Sequence, residues 1–140
     1  MVKGNFDPTL IKATLSGSFH RDPKGLSHDY RELVRNQCQV LSPRSLDFVD
    51  STALFVRHEI EADESSFTIQ RHHLQAVALS DFLWVHAPDG YVGLSGAMEI
   101  GYAYAHGVTI FSDQPLKDET LKHFVTSVSS VFEAIELLSA

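Results

Sequence analysis

A chain of 140 residues with 44% apolar side chains is long enough for one domain around one core. Eighteen acids against eleven bases leave a formal charge of −7, which argues against a broad electrostatic footprint for nucleic-acid polymers. The one cysteine, Cys38, makes no internal disulfide and excludes a thiolate metal cluster. With no run of about 18 apolar residues and no apolar signal core in "MVKGNFDPTL", the expected location is cytoplasmic, without a membrane partner.

In chain order, "LIKATLSGSF" (10 to 19) reads as a strand ending at Gly17 and Ser18, and "KGLSHDYRELVRNQ" (24 to 37) as a helix. "CQVLSP" (38 to 43) is a short strand stopped by Pro43. Residues 44 to 66 gather Asp47, Asp50, Glu59, Glu61, Asp63 and Glu64 around "TALFVRH" and read as a long acidic excursion with room for a short strand. Loops of that length often serve as lids. "SFTIQRHHLQAVALS" (66 to 80) follows as a helix whose Ile69, His72, His73, Ala76, Val77 and Leu79 approximate one face. "DFLWVHAP" (81 to 88) has the apolar content of a buried central strand.

"PDGYVGLSGAMEIGYAYAHG" (88 to 107) opens as a glycine-rich turn and becomes a helix from about Ser95 to His106, stopped by Gly107. "VTIFSD" (108 to 113) is a strand, "DETLKHFV" (118 to 125) a short helix and "SVFEAIELLSA" (130 to 140) a terminal helix. Such alternation implies parallel strands joined by right-handed crossovers, with ligands bound beyond the C-terminal strand ends. "GSFHRD" (17 to 22), "SPRSLD" (42 to 47) and "PDGYVGLSGAME" (88 to 99) should meet there.

The residues alone leave two roles for Glu99. With Ser95 or Gly96 as the cap, it would lie in the first helical turn and gain a few tenths of a kcal/mol from the helix dipole. Alternatively, Gly90, Gly93 and Gly96 let a ligand approach the backbone closely and Glu99 faces it. The eight histidines contain no H-E-x-x-H arrangement, and His72 and His73, adjacent on a helix, point about 100° apart, a poor chelating pair. Cys38 reads as a small buried hydrophobe, and Phe82 and Trp84 as core.

"GSFHRD", "HHLQAVALSDFLWVHAP" and above all "GLSGAMEIGYAYAHG" resemble the nucleoside 2-deoxyribosyltransferase superfamily, which includes the deoxynucleoside 5'-monophosphate N-glycosidases. The similarity spans roughly residues 11 to 113. It implies that Glu99, in the family's E-[LI]-G-x-A motif, is the nucleophile that attacks the anomeric carbon. His73 stands where relatives carry a substrate-contacting helix aspartate, and imidazole can protonate a departing base. Gly93 stands where transferases commonly carry Asp and the monophosphate hydrolases Ser. Gly17, Ser18 and Arg21 are similar to the hydrolases' phosphate loop, with the arginine displaced by one residue, and Ser95 would complete it. The residues also allow a plainer arrangement, in which Ser18 caps a turn and Arg21 pairs with Asp22. Asp89 and Tyr91 would touch base or sugar, with Gly96 beneath.

The expectation is therefore one α/β domain over 1–140: an open five-stranded parallel sheet flanked by helices, a flavodoxin- or Rossmann-like three-layer sandwich. It would hydrolyse the N-glycosidic bond of a nucleoside 5'-monophosphate or nucleoside through a covalent Glu99 intermediate. Base exchange, as a transferase, and nucleotide sensing without turnover are the alternatives. The chemistry requires no metal or organic cofactor, and the resemblance implies a homo-oligomer.

Overall fold

Period-two alternation in the first strand sorts the two faces of the sheet. In the computed structural model, which describes residues 9–18, 20–44 and 63–140, Ala13 and Leu15 of β1 (Ile11–Ser16) enter one apolar cluster. Thr14 and Ser16 turn the other way, toward Ser80 and Glu99. Around β1 run β2 (Cys38–Ser42), β3 (Phe82–Val85), β4 (Thr109–Ser112) and β5 (Thr126–Ser127), all parallel, in the order β2-β1-β3-β4-β5. That order is flavodoxin-like, and the chain reverses its direction of travel across the sheet between β1 and β3.

Helices cover both faces. α1 (Pro23–Arg35) and α4 (Val131–Ser139) bury Leu26, Leu33, Val131 and Ala134 against Leu15, Phe82, Trp84 and Phe111. On the opposite face, α2 (Asp63–Leu79) and α3 (Leu94–Ala105) supply Val77, Ile100 and Ala103 to Leu83, Val85 and Ile110. The result is the expected open α/β sandwich of three layers. No helix among the described residues is long and apolar enough to cross a membrane.

Local chemistry sets the helix ends. Asp22 caps α1 by accepting the Gly25 N–H at 3.2 Å, and Pro23 occupies the first turn, where its missing donor costs nothing. Ser130 accepts the Glu133 N–H at 3.1 Å while Glu133 reaches back to the Ser129 N–H, a variant of the reciprocal cap at the start of α4. α3 stops at Gly107, with φ of 72°, where the Val108 N–H bonds the Ala103 carbonyl at 2.9 Å and the Gly107 N–H the Tyr104 carbonyl at 3.1 Å.

Three expectations need correction or placing. The stretch 118–125 holds a single 3-10 turn, Leu121–Phe124, instead of an α-helix. Asp118 accepts the N–H groups of Thr120 and Leu121, and the chain must then extend immediately to pair Thr126 and Ser127 with β4. That pair is the fifth strand, which the sequence pattern did not locate. On α2, Ile69 and Leu79 are exposed, Leu79 by 72%, and the inward row is Gln70, His73, Leu74 and Val77. Residues 45–62 of the acidic excursion lie outside the described residues.

Gly107 offers a clean measure of backbone strain, because among the described residues nothing beyond its chain neighbours lies within 4 Å of where a Cβ would stand. Gly107→Ala should cost about 1 kcal/mol through the left-handed conformation alone, read as a lower denaturant midpoint at unchanged m-value. Gly107→Asn should recover part of that loss.

Candidate functional site

Parallel pairing brings Ser16, Val85 and Ser112 to the same level at the C-terminal edge of the sheet. At this edge, beside the reversal between β1 and β3, stands Glu99 of α3, only 5% exposed. Its Oε1 accepts the Ser16 hydroxyl at 2.5 Å and faces His73 Nε2 at 3.4 Å. Its Oε2 accepts the Gln70 amide N–H at 2.9 Å. His73 Nδ1 meets Ser42 Oγ, at the end of β2, at 2.6 Å. Elements distant in sequence thus hold one carboxylate.

The helix-start account of Glu99 does not survive. α3 begins at Leu94 with Gly93 as its cap, so Glu99 falls in the second turn, beyond the free N–H groups. Side chains hold the charge instead. Burial pushes the Glu99 carboxyl toward protonation. The hydrogen bond and charge of His73, with the Gln70 and Ser16 bonds, outweigh that push and keep its pKa below the ordinary value.

The other anticipated residues divide. His73 faces Glu99, while His72 is exposed. Arg21 and Tyr91 come together from two loops, the guanidinium carbon 3.8 Å from the ring centroid. Ser18 Oγ accepts the Arg21 N–H at 3.1 Å and so caps its own turn. Asp22 pairs with His86, not Arg21. Gly17 packs between Leu26 and His86, and Gly96 stands close to Val92, its face toward Ser16. Gly93 has room for a side chain, with only the Tyr91 ring nearby among the described residues. Ser95 is exposed in the first turn of α3. Asp89 is exposed too, in a left-handed turn with φ of 56°. Burial, aided by Asp81, pushes the Cys38 thiol up to about 11, so it is no nucleophile.

Sequence reasoning passed over Ser16 and Gln70, and placed Ser42 only as the start of the segment 42 to 47. Gln70 was legible, since it lies three residues before His73 on the helix and therefore on its face. Ser16 required knowing that β1 turns its even positions toward α3.

No protein-family model, curated protein or solved structure matches the chain. The site's own chemistry therefore carries the functional reading.

A depressed carboxyl pKa in the folded state contributes stability above the unfolded value, about 4.3, which is lost as pH falls through the lower folded value. Glu99→Gln should therefore show a flatter fall in Tm on the acid side than the parent. Ser16→Ala, which deletes one donor to the buried charge, should cost about 1.5 to 3 kcal/mol at neutral pH, measured by denaturant unfolding.

Proposed function

We propose that the chain is an N-glycosidase of the nucleoside 2-deoxyribosyltransferase kind, acting on a nucleoside 5'-monophosphate or nucleoside with Glu99 as nucleophile. The observation that carries this reading is a buried carboxylate kept ionised where ligands of such sheets bind, with Oε2 accepting one hydrogen bond among the described residues. Oε1 is doubly engaged by Ser16 and His73, so Oε2 has the lone pair for attack. The match of "GLSGAMEIGYAYAHG" to the family's loop-to-glutamate pattern supports the same assignment.

In the first step Oε2 bonds the anomeric carbon as the C–N bond breaks and its electron pair leaves with the base. The charge that develops on the sugar is stabilised by the carboxylate beneath it. His73 as imidazolium gives its Nε2 proton to the departing base. In the second step, water bonds the anomeric carbon, its proton passes to the now neutral Nε2, and the ester oxygen returns to Glu99. Ser42 on Nδ1 keeps the ring aimed through both steps. Arg21, which lies over Tyr91, is the donor available for a 5'-phosphate, and Tyr91 is the ring on which a base can stack.

Incubation with a panel of nucleosides and their 5'-monophosphates, followed chromatographically, should release free base. Glu99→Gln should lower the rate at least about a thousandfold with the fold intact by thermal melt. Binding without release would leave a nucleotide-binding module in place of an enzyme, and equal release by parent and variant would remove Glu99 as the nucleophile. Base exchange on adding a second free base would make it a transferase. Arg21→Ala should cost about 1.5 to 3 kcal/mol in kcat/KM for monophosphates and leave nucleosides almost untouched.

A further inference from the structure

The face of the sheet opposite Glu99 carries a second polar cluster, to which the proposed reaction assigns no role. His86, the first residue beyond β3, presents Nε2 to Asp22 Oδ2 at 2.9 Å and Nδ1 to Asp29 Oδ2 at 2.7 Å. The Trp84 indole N–H donates to the same Asp29 oxygen at 2.9 Å. An ionised carboxylate only accepts hydrogen bonds, so a ring nitrogen facing one must carry a proton, and two such nitrogens need two protons. Asp29 Oδ2 is already an acceptor from Trp84, and Asp22 Oδ1 from the Gly25 N–H. With both carboxylates ionised, hydrogen-bond counting makes His86 an imidazolium.

The surroundings agree. A Cβ on Gly25 would collide with Asp22 Oδ2 and stand 2.7 Å from His86 Nε2, and one on Gly17 would stand 3.1 Å from His86 Cβ. Glycine at both positions lets the loop between β1 and α1 close onto the ring. The titratable groups around His86 are Asp22 from that loop, Asp29 with its neighbour His28 from α1, and Asp113 after β4. Burial raises the Asp113 pKa and the Asp29 charge adds to it, while His86 opposes. For His86 itself, burial disfavours the charge, but the two aspartates override it and the pKa rises. The bond to His86 in turn lowers the pKa of Asp22.

We infer that His86 is a positioning residue: as an imidazolium it fastens the β1–α1 loop, which carries Ser18 and Arg21, to the end of β3, and so sets Arg21 over Tyr91. Asp22 is both the cap of α1 and the anchor of the latch, so loss of the imidazolium charge frees the loop at the residue next to Arg21. A raised folded pKa means that the latch contributes its full stability below the unfolded histidine value of about 6.5, and that this is lost as pH rises through the folded value. The inference rests on the glycosidase reading only in treating Arg21 as a substrate contact.

Trp84 is the chain's one tryptophan, so a 15N-labelled sample gives a single indole signal, a direct reporter on Asp29 and His86. That signal should follow one titration with a midpoint above about 6.5. The Arg21 Nε–H signal, moved upfield by the Tyr91 ring, should shift toward the solvated position with the same midpoint. Asp22→Asn keeps the helix cap but removes one charge from the ring; it should lower the Trp84 midpoint and leave Arg21 near the solvated position throughout. In His86→Gln the titration should vanish. A Trp84 midpoint at or below the ordinary histidine value, or an Arg21 signal indifferent to both pH and Asp22→Asn, overturns the inference. Neither signal requires a substrate, so failure of the glycosidase reading leaves the outcome unaffected.

Discussion

Keeping one carboxylate charged with almost no water around it is the constraint on which the candidate site depends. Moving an ion out of water costs several kcal/mol even after relaxation, and each hydrogen bond to it returns about 1.5 to 3. Glu99 therefore needs donors from several directions, and it takes Ser16 from β1 and both Gln70 and His73 from α2. This requirement ties α2 and α3 to the edge of β1. It also fixes where the apolar packing of that face gives way to polar chemistry, because Val77, Ile100 and Ala103 of the same two helices belong to the core beneath.

The sheet edge carries opposite solutions on its two faces. Odd positions of β1 lead through Gly17 to the side of α1, where His86 sits between two aspartates. Even positions lead through Ser16 to the side of α2 and α3, where a glutamate sits among donors. Alternation along one strand thus separates an imidazolium from a carboxylate although Ser16 and Gly17 are chain neighbours. The two loops that border the crevice inherit this division. The β1–α1 loop is tied down through Asp22, and the glycine-rich turn after β3 is held by the bond from Lys117 N–H to the Gly90 carbonyl at 3.0 Å.

Much of this was legible from residue order because local rules and the final packing agree. The alternation of strands and helices, Gly107 at a helix end, and the solid apolar run in β3 each point to the observed α/β sandwich. The pattern failed where a tertiary contact decides. β5 has two residues, too few for any periodic signal, and exists because β4 offers an open edge. The inward face of α2 is misjudged from hydropathy because a polar residue, Gln70, is half-buried on it beside His73 to reach Glu99. Arg21 and Tyr91 were each singled out from the sequence, but their pairing across two loops was not.

A polar cluster of this kind could serve packing alone, fixing the register of α2 against α3, since buried polar groups can confer specificity at some cost in stability. Its distribution argues for more. Register could be set anywhere along the helix pair, yet the bonds from Ser16, Ser42, Gln70 and His73 gather around Glu99 at the C-terminal strand ends, while Val77, Ile100 and Ala103 lie in the apolar cluster beneath. Register also needs no net charge. A glutamine at position 99 would meet Ser16 and Gln70 with neutral hydrogen bonds and avoid the cost of burying an ion. An ionised group, maintained against its own desolvation at the one edge where such sheets bind ligands, is the arrangement expected when the charge itself is put to use.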